Sequence, residues 1–226
     1  MGRSSGRSQP SMAGERDEAP VKPRVLPCGD AAVLVELDSL EEVVGLAAAL
    51  ADPLPPGVTE LVPAARTILV RYDPARTDRD AVARAVRERP PRPPGERAGE
   101  VVEIPVVYDG PDLDEVAALA GLSPEEVVAL HTSGEYVVAF CGFAPGFGYL
   151  TGLDPRLHVP RRSTPRTRVP AGAVGLAGEF TGVYPRESPG GWQLIGRTER
   201  RLFDLAWDPP ALLRPGTRVR FVREGA

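Results

Sequence analysis

Between Gly142 and Gly191 the sequence places 17 Gly or Pro residues in 50 positions. Gly gives up the most backbone freedom on entering a helix, and Pro lacks the N–H and clashes with the preceding turn. No helix of ordinary length fits that window. Short apolar pieces recur through and beyond it instead: Tyr136–Phe140, Ala173–Ala177, Trp192–Ile195, Arg201–Leu205 and Val219–Val222. Short strands separated by frequent turn signals predict a barrel or a sandwich. With 42 % hydrophobic residues the chain can still build a core, and 226 residues allow one or two domains.

The first half follows a different pattern. Val33, Val35 and Leu37 alternate as on a strand, and Ser39 with Glu42 forms a capping box ahead of Leu40, Val43, Val44, Ala47 and Leu50 at helical spacing. Three prolines between Asp52 and Gly57 stop that helix. Val58–Val62 and Thr67–Tyr72 predict two further strands, and Thr77 with Asp80 predicts the start of a second helix carrying Val82, Ala85 and Val86. Arg89–Gly99 is rich in Pro and Arg and reads as a linker; Val101–Val107 is a strand that could close either half. Strand, helix, strand, strand, helix, strand is the ferredoxin-like order. The expected division is a disordered tail over 1–23, a ferredoxin-like α+β domain with its linker over 24–99, and a β-barrel domain over 100–226. The barrel opens with two short helices, one with Leu113, Val116, Ala117 and Ala120 as its stripe, the other begun by Ser123-Pro124-Glu125-Glu126.

Composition excludes several chemistries. Of 27 basic residues only Lys22 is a Lys, so the barrel half can build neither a Walker A phosphate loop nor a Schiff-base or biotinyl lysine. Cys28, Cys141, His131 and His158 are the only soft ligands and lie far apart, so no metal site is expected. Two unclustered Cys and the lack of a signal-like or membrane-spanning stretch predict a cytoplasmic protein. A formal net charge of −4 gives no support to nucleic-acid binding.

Three blocks stand out in the second half. In Phe140–Leu150 (FCGFAPGFGYL), Phe143, Phe147 and Tyr149 interleave with Pro145 and Gly146, giving rings that either plug a barrel end or line a pocket or interface. Pro160–Pro170 (PRRSTPRTRVP) holds Arg161, Arg162, Arg166 and Arg168 between stiffening prolines. Planar guanidinium forks on a stiff segment suit a carboxylate or phosphate, although a solvated basic face is the simpler reading. The third block, Gly178–Thr198, supplies Glu179, Tyr184, Trp192, Gln193 and Arg197, a mixture of apolar area with polar tips. Acid–base groups are scarce. His131, Glu179 and Tyr184 are the catalytic candidates, with Gln193 and Arg197 joining the four arginines as candidate substrate or anion contacts and Trp192 joining the pocket. A lone His on a helix face is more often a core residue, which weighs against His131.

Together these blocks, with YDGPDLDEVAALAGLSPEEVVALHTSGEYVVAFCGF upstream and, more loosely, GDAAVLVELD and PGVTELVPAARTILVRYDP, resemble the family known as allophanate hydrolase subunit 1, KipI or the 5-oxoprolinase B-type subunits. The resemblance runs from about Val25 to Val222. It implies a cyclophilin-like β-barrel after the α+β domain. It also implies a homologous C-type partner, similar to allophanate hydrolase subunit 2, and a third 5-oxoprolinase subunit. Together the three hydrolyse 5-oxoproline to glutamate, with ATP shared by the complex. Relatives also imply two alternatives: a carboxyltransferase part of a biotin-dependent urea carboxylase, and a KipI-like inhibitor of a histidine kinase. Where many relatives carry a Gln, this chain carries Glu179-Phe180.

Overall fold

The computed structural model describes residues 23–92 and 101–225. The expected tail up to residue 22 and most of the expected linker, 93–100, lie outside the described residues.

The first part is one antiparallel sheet under two helices. Its elements are β1 (Arg24–Pro27), β2 (Ala32–Glu36), α1 (Leu40–Ala51), β3 (Val58–Pro63), β4 (Thr67–Tyr72) and α2 (Arg79–Glu88), with strand order β1-β2-β4-β3. The Ser39/Glu42 capping box forms as expected. The second helix is capped one residue later than expected: the Asp78 side chain, not Thr77, accepts the Ala81 N–H at 2.8 Å. Val33, Val35, Val43, Leu46, Leu50, Ile68, Val70, Val82 and Val86 interlock between sheet and helices. The place beside β2 that a ferredoxin-like order reserves for a strand after α2 is held by β1, which comes from the N-terminal side.

The strand after α2 goes elsewhere. β5 (Val102–Val106) pairs in parallel with the last strand, β13 (Arg218–Arg223), and so joins the second half. Between them run α3 (Leu113–Ala120), α4 (Pro124–Ser133), β6 (Tyr136–Cys141), β7 (Gly148–Thr151), β8 (Arg166–Val169), β9 (Ala173–Ala177), β10 (Phe180–Val183), β11 (Ser188–Gly190) and β12 (Gln193–Arg197). Seven of these strands form one sheet, β12-β9-β10-β7-β6-β13-β5, while β8 and β11 make a separate two-stranded ribbon. Just past β5, Val107 exchanges two backbone hydrogen bonds of 2.9 Å with Arg197 at the end of β12. That bridge nearly closes the sheet on itself and leaves little free edge, as a barrel should. Arg201–Leu205, expected as a strand, is instead the start of a loop whose only pairing among the described residues is the Phe203–Ala211 bridge.

Two apolar clusters fill this half. Ile104, Val106, Tyr136, Val138, Leu150, Leu176, Ile195 and Phe221 pack inside the barrel with Val116, Ala117 and Val127 from α3 and α4. A second cluster joins Phe147, Val169, Tyr184, Trp192 and Leu194. Among the described residues no helix is long and apolar enough to cross a membrane, and no group of His, Cys, Asp and Glu is set to hold a metal ion.

Candidate functional site

Asp112 organises the site. It stands at the N-cap of α3, where an Asp ordinarily accepts a helix N–H, yet its side chain makes no capping bond. Its carboxylate is turned to the segment after Pro160. Oδ1 accepts from Arg162 Nη1 at 2.8 Å and from Arg166 Nη2 at 2.6 Å, and Oδ2 accepts the Leu194 backbone N–H at 2.7 Å. The Asp112 side chain is 2 % exposed, whereas those of Arg162 and Arg166 keep 28 % and 23 %. One buried carboxylate therefore faces two guanidinium groups, and the cluster carries excess positive charge. Glu115 offsets part of it from the surface, 3.2 Å from Arg162 Nη1. Arg162 N donates to Gly191 O, so the Arg segment is also tied to the turn before β12.

Arg161 is the open member of the array. It is exposed and makes no ion pair with a described residue, yet its charge is felt by two phenols, Tyr149 and Tyr184. Burial pushes both hydroxyls up from their ordinary value, with Arg161 pulling the other way, so both remain O–H donors at neutral pH. Tyr184 is buried, and the Trp192 backbone and the Arg161 and Arg166 charges work against the rise that burial causes in its hydroxyl. Beneath them the rings interlock. Tyr149 stacks on Phe140 at 4.4 Å, Trp192 lies edge-on to Tyr149 at 5.5 Å and to Phe147 at 5.3 Å, and Phe143 lies edge-on to Phe147 at 5.4 Å. Gln193 is 2 % exposed and reaches toward the Pro160 carbonyl at 3.5 Å. Arg162 Nε, Arg166 Nη1 and Gln193 Oε1 are buried side-chain atoms with no partner among the described residues, and all three belong to this cluster.

Phe143 owes its position to an unusual turn. Its φ is +64°, the one positive value at a non-Gly residue among those described, and Ala144 N donates to Gly142 O across it at 2.7 Å. A ring-bearing residue held in the left-handed region stores roughly 1–3 kcal/mol of strain. The ring ends 56 % exposed. Pro145 is exposed beside it, and Gly146, at φ +85°, lies against Phe203.

Several expected members lie outside this cluster. His131, a catalytic candidate of the sequence, is fully buried on α4 and lies apart from this cluster. The Tyr108 hydroxyl donates to Nδ1 at 2.7 Å, Nε2–H donates to Thr181 Oγ1 at 3.0 Å, and Thr181 passes its own hydrogen to Gly175 O at 3.2 Å. Both ring nitrogens are committed, and burial brings the imidazole pKa down to about 3. Arg168 turns away to pair with exposed Glu187 at 2.6 Å, and Arg197 pairs with Asp109 at 2.9 Å on the barrel seam. Glu179 is exposed in the β9–β10 turn, next to Gly178, whose backbone N–H bonds Val159.

Two guanidinium groups held by one sequestered carboxylate, on a nearly closed β-sheet that also carries a cluster of interlocking aromatic rings, define a barrel-type protein with a concentrated set of hydrogen-bond donors. The sequence matches the family model "Carboxyltransferase domain, subdomain C and D" over residues 23–213. The chain belongs to that family. It is 48 % identical over 204 residues to the 5-oxoprolinase B-type subunit of Escherichia coli O157:H7, covering 86 % of this chain and 93 % of that protein. It is 44 % identical over 216 residues to the B-type subunit of the same name in Bacillus subtilis strain 168, covering 86 % and 90 %. Among solved structures, TTHA0988 superposes with a TM-score of 0.73 at 42 % identity over 86 % of this chain, which spans 40 % of the TTHA0988 chain.

Proposed function

We propose that this chain is the B-type subunit of an ATP-dependent 5-oxoprolinase, which opens 5-oxo-L-proline to L-glutamate together with a homologous C-type partner and a third subunit. Near full-length similarity to two proteins named as B-type subunits of 5-oxoprolinase supports the reading. The observation that carries it is the pair Arg162 and Arg166 clamped on buried Asp112, with Arg161 beside them in sequence and without an ion pair among the described residues. A cyclic amide that bears a carboxylate needs a cation for its anionic group and O–H or N–H donors for its carbonyl. In a site with little water such donors are strong, because no solvent reorganises when charge develops on the amide oxygen.

This chain's part is to bind and orient rather than to supply a base. Its buried His is engaged on both nitrogens, and its phenols hold their protons. The nucleotide, when bound, activates the amide for attack by water. Lys22 is the one Lys of the sequence and lies outside the described residues, so this reading assigns ATP to the assembled complex.

The test is phosphate release from the reconstituted complex with and without 5-oxoproline. Arg161→Ala should lower the 5-oxoproline-dependent rate by about two orders of magnitude while leaving the unfolding midpoint of this chain unchanged. Arg168→Ala, which removes only a surface pair, should stay near the wild-type rate. A wild-type rate in Arg161→Ala refutes the assignment.

A further inference from the structure

Arg162 divides one nitrogen between two carboxylates of very different standing. Its Nη1 donates to Asp112 Oδ1 at 2.8 Å and to Glu115 Oε2 at 3.2 Å. The Asp112 side chain is 2 % exposed and that of Glu115 is 53 % exposed. Asp112 is fixed, because the start of α3 is tied to β12. Asp112 N donates to Leu194 O at 3.0 Å, while Asp112 Oδ2 accepts the Leu194 N–H at 2.7 Å. Two residues earlier Gly110 N donates to Ile195 O at 3.2 Å, and the Leu194 carbonyl leaves no room there for a side chain. Glu115 has no such anchor. The contact with Arg162 is the one hydrogen bond its side chain makes among the described residues.

The strengths of the two pairs decide which carboxylate yields to a competitor. Stripping a buried charge of its partner is strongly unfavourable, whereas an exposed pair holds by little and weakens with salt. An oxyanion arriving from solvent therefore replaces Glu115 and not Asp112. The exchange is neutral in charge. Before it, Arg162 and Arg166 face Asp112 and Glu115; after it, they face Asp112 and the incoming anion. Donors are left to receive that anion. Arg162 Nη2 and Arg166 Nε have no hydrogen-bond partner among the described residues, and both side chains are part-exposed. The displaced Glu115 stays well placed, since it belongs to the first turn of α3. Asp112 gives that turn no side-chain cap, and the positive end of the helix dipole lies there.

We infer that Glu115 is a resident competitor at Arg162, and that a small oxyanion, a carboxylate or a phosphate, binds Arg162 and Arg166 by displacing it. The inference rests on the functional reading above and adds to it the exchange by which the Asp112-held pair opens to a ligand. Two groups in that reading have the required chemistry: the carboxylate of 5-oxoproline and the phosphates of the nucleotide.

The experiment follows the arginine Nε–H resonances of the full chain by NMR at low salt. The probes titrated in are 5-oxo-L-proline, inorganic phosphate and 2-pyrrolidinone, which is the lactam without the carboxylate. Arg162→Gln and Arg166→Gln identify the two signals, and circular dichroism checks that each variant keeps its fold. Glu115→Gln should tighten the anion by about three-fold, as expected for removal of an exposed competing pair. Glu125→Gln removes the same charge from the exposed pair with Arg223 on another helix, and should leave the affinity within about 1.5-fold. A response to 5-oxoproline assigns the site to the substrate's carboxylate, and a response to phosphate alone assigns it to the nucleotide. A response to 2-pyrrolidinone overturns the inference, because the anion is then not what Arg162 reads. Signals that no probe moves, or equal affinity in Glu115→Gln and the unmodified chain, overturn it too, while 5-oxoproline-dependent phosphate release by the complex still upholds the functional reading. Absence of that release from the unmodified complex overturns the functional reading, and the titration of this chain decides the exchange on its own.

Discussion

Replacing Asp112 by Ala removes one carboxylate and strands three donors. Asp112 accepts two charge-assisted bonds from Arg162 and Arg166 and a third from the buried Leu194 N–H. The stranded backbone N–H alone should cost about 1–3 kcal/mol. The guanidinium groups lose their counter-charge, but about a quarter of each side chain is already wet, so their share falls below the roughly 3–5 kcal/mol of a fully buried pair. A total of about 3 kcal/mol follows, or a fall in the barrel's unfolding midpoint of roughly 6–12 °C. Both Trp residues, Trp192 and Trp207, lie in the barrel half, so urea unfolding followed by Trp fluorescence reads this part without interference from the first. Asp112→Ser distinguishes the two roles open to an Asp at this position. Ser is a good helix cap, so it would restore stability if Asp112 served α3. Because the carboxylate instead clamps two arginines, Asp112→Ser should be nearly as damaging as Asp112→Ala, and Asp112→Asn intermediate. Combining Asp112→Ala with Arg166→Met should be less harmful than the sum of the single changes, since the second removes a charge that the first left unpaired. An Asp112→Ser variant within about 0.5 kcal/mol of wild type refutes the clamp.

Three further outcomes can be measured directly. His131 has its pKa lowered to about 3 in the fold against an ordinary 6.5, so the unfolded chain binds the extra proton between those values; stability should be complete above pH 6.5 and fall by roughly 1.4 kcal/mol per pH unit below it, and urea unfolding of His131→Gln at pH 7, 6 and 5 should lack that one-proton slope. Gly190→Ala places a methyl against the Tyr184 hydroxyl; it should destabilise the barrel by about 1–3 kcal/mol and weaken 5-oxoproline dependence in the complex, and an unchanged midpoint would show that the Tyr184 ring has room to move. Cys28 is exposed, whereas Cys141 is part-buried, has its thiol pushed up by burial and donates to Leu213 O at 3.6 Å, so a thiol-reactive dye should label one equivalent quickly and the second only on unfolding; Cys28→Ser should abolish the fast phase.

Local patterns were readable in the sequence wherever the deciding contacts are close along the chain. Both capping boxes, Ser39/Glu42 and Ser123/Glu126, close over three residues, and each starts a helix. The density of Gly and Pro after Gly142 excluded helices by backbone energetics alone, and only a single 3-10 turn, Pro155–Leu157, interrupts the strands there. The aromatic and Arg blocks could be identified as candidates because their composition is itself unusual. What stayed hidden is what depends on long-range pairing. β1 could not be foreseen as the edge of the first sheet, since four residues of RVLP carry no periodicity of their own. β5 reads as a strand, but only its parallel register with β13 decides which half it completes. Asp112 is the sharpest case. An Asp directly before a helical stripe is read as a cap, and its real partners stand 50, 54 and 82 residues away. The same long-range contact explains why four arginines of one composition separate into different roles. A stiff segment fixes where the guanidinium groups start but not what neutralises them. Arg162 and Arg166 meet a buried carboxylate, Arg168 meets a surface one, and Arg161 meets none among the described residues. Which member stays unneutralised among the described residues thus follows from where acidic residues distant in sequence come to rest.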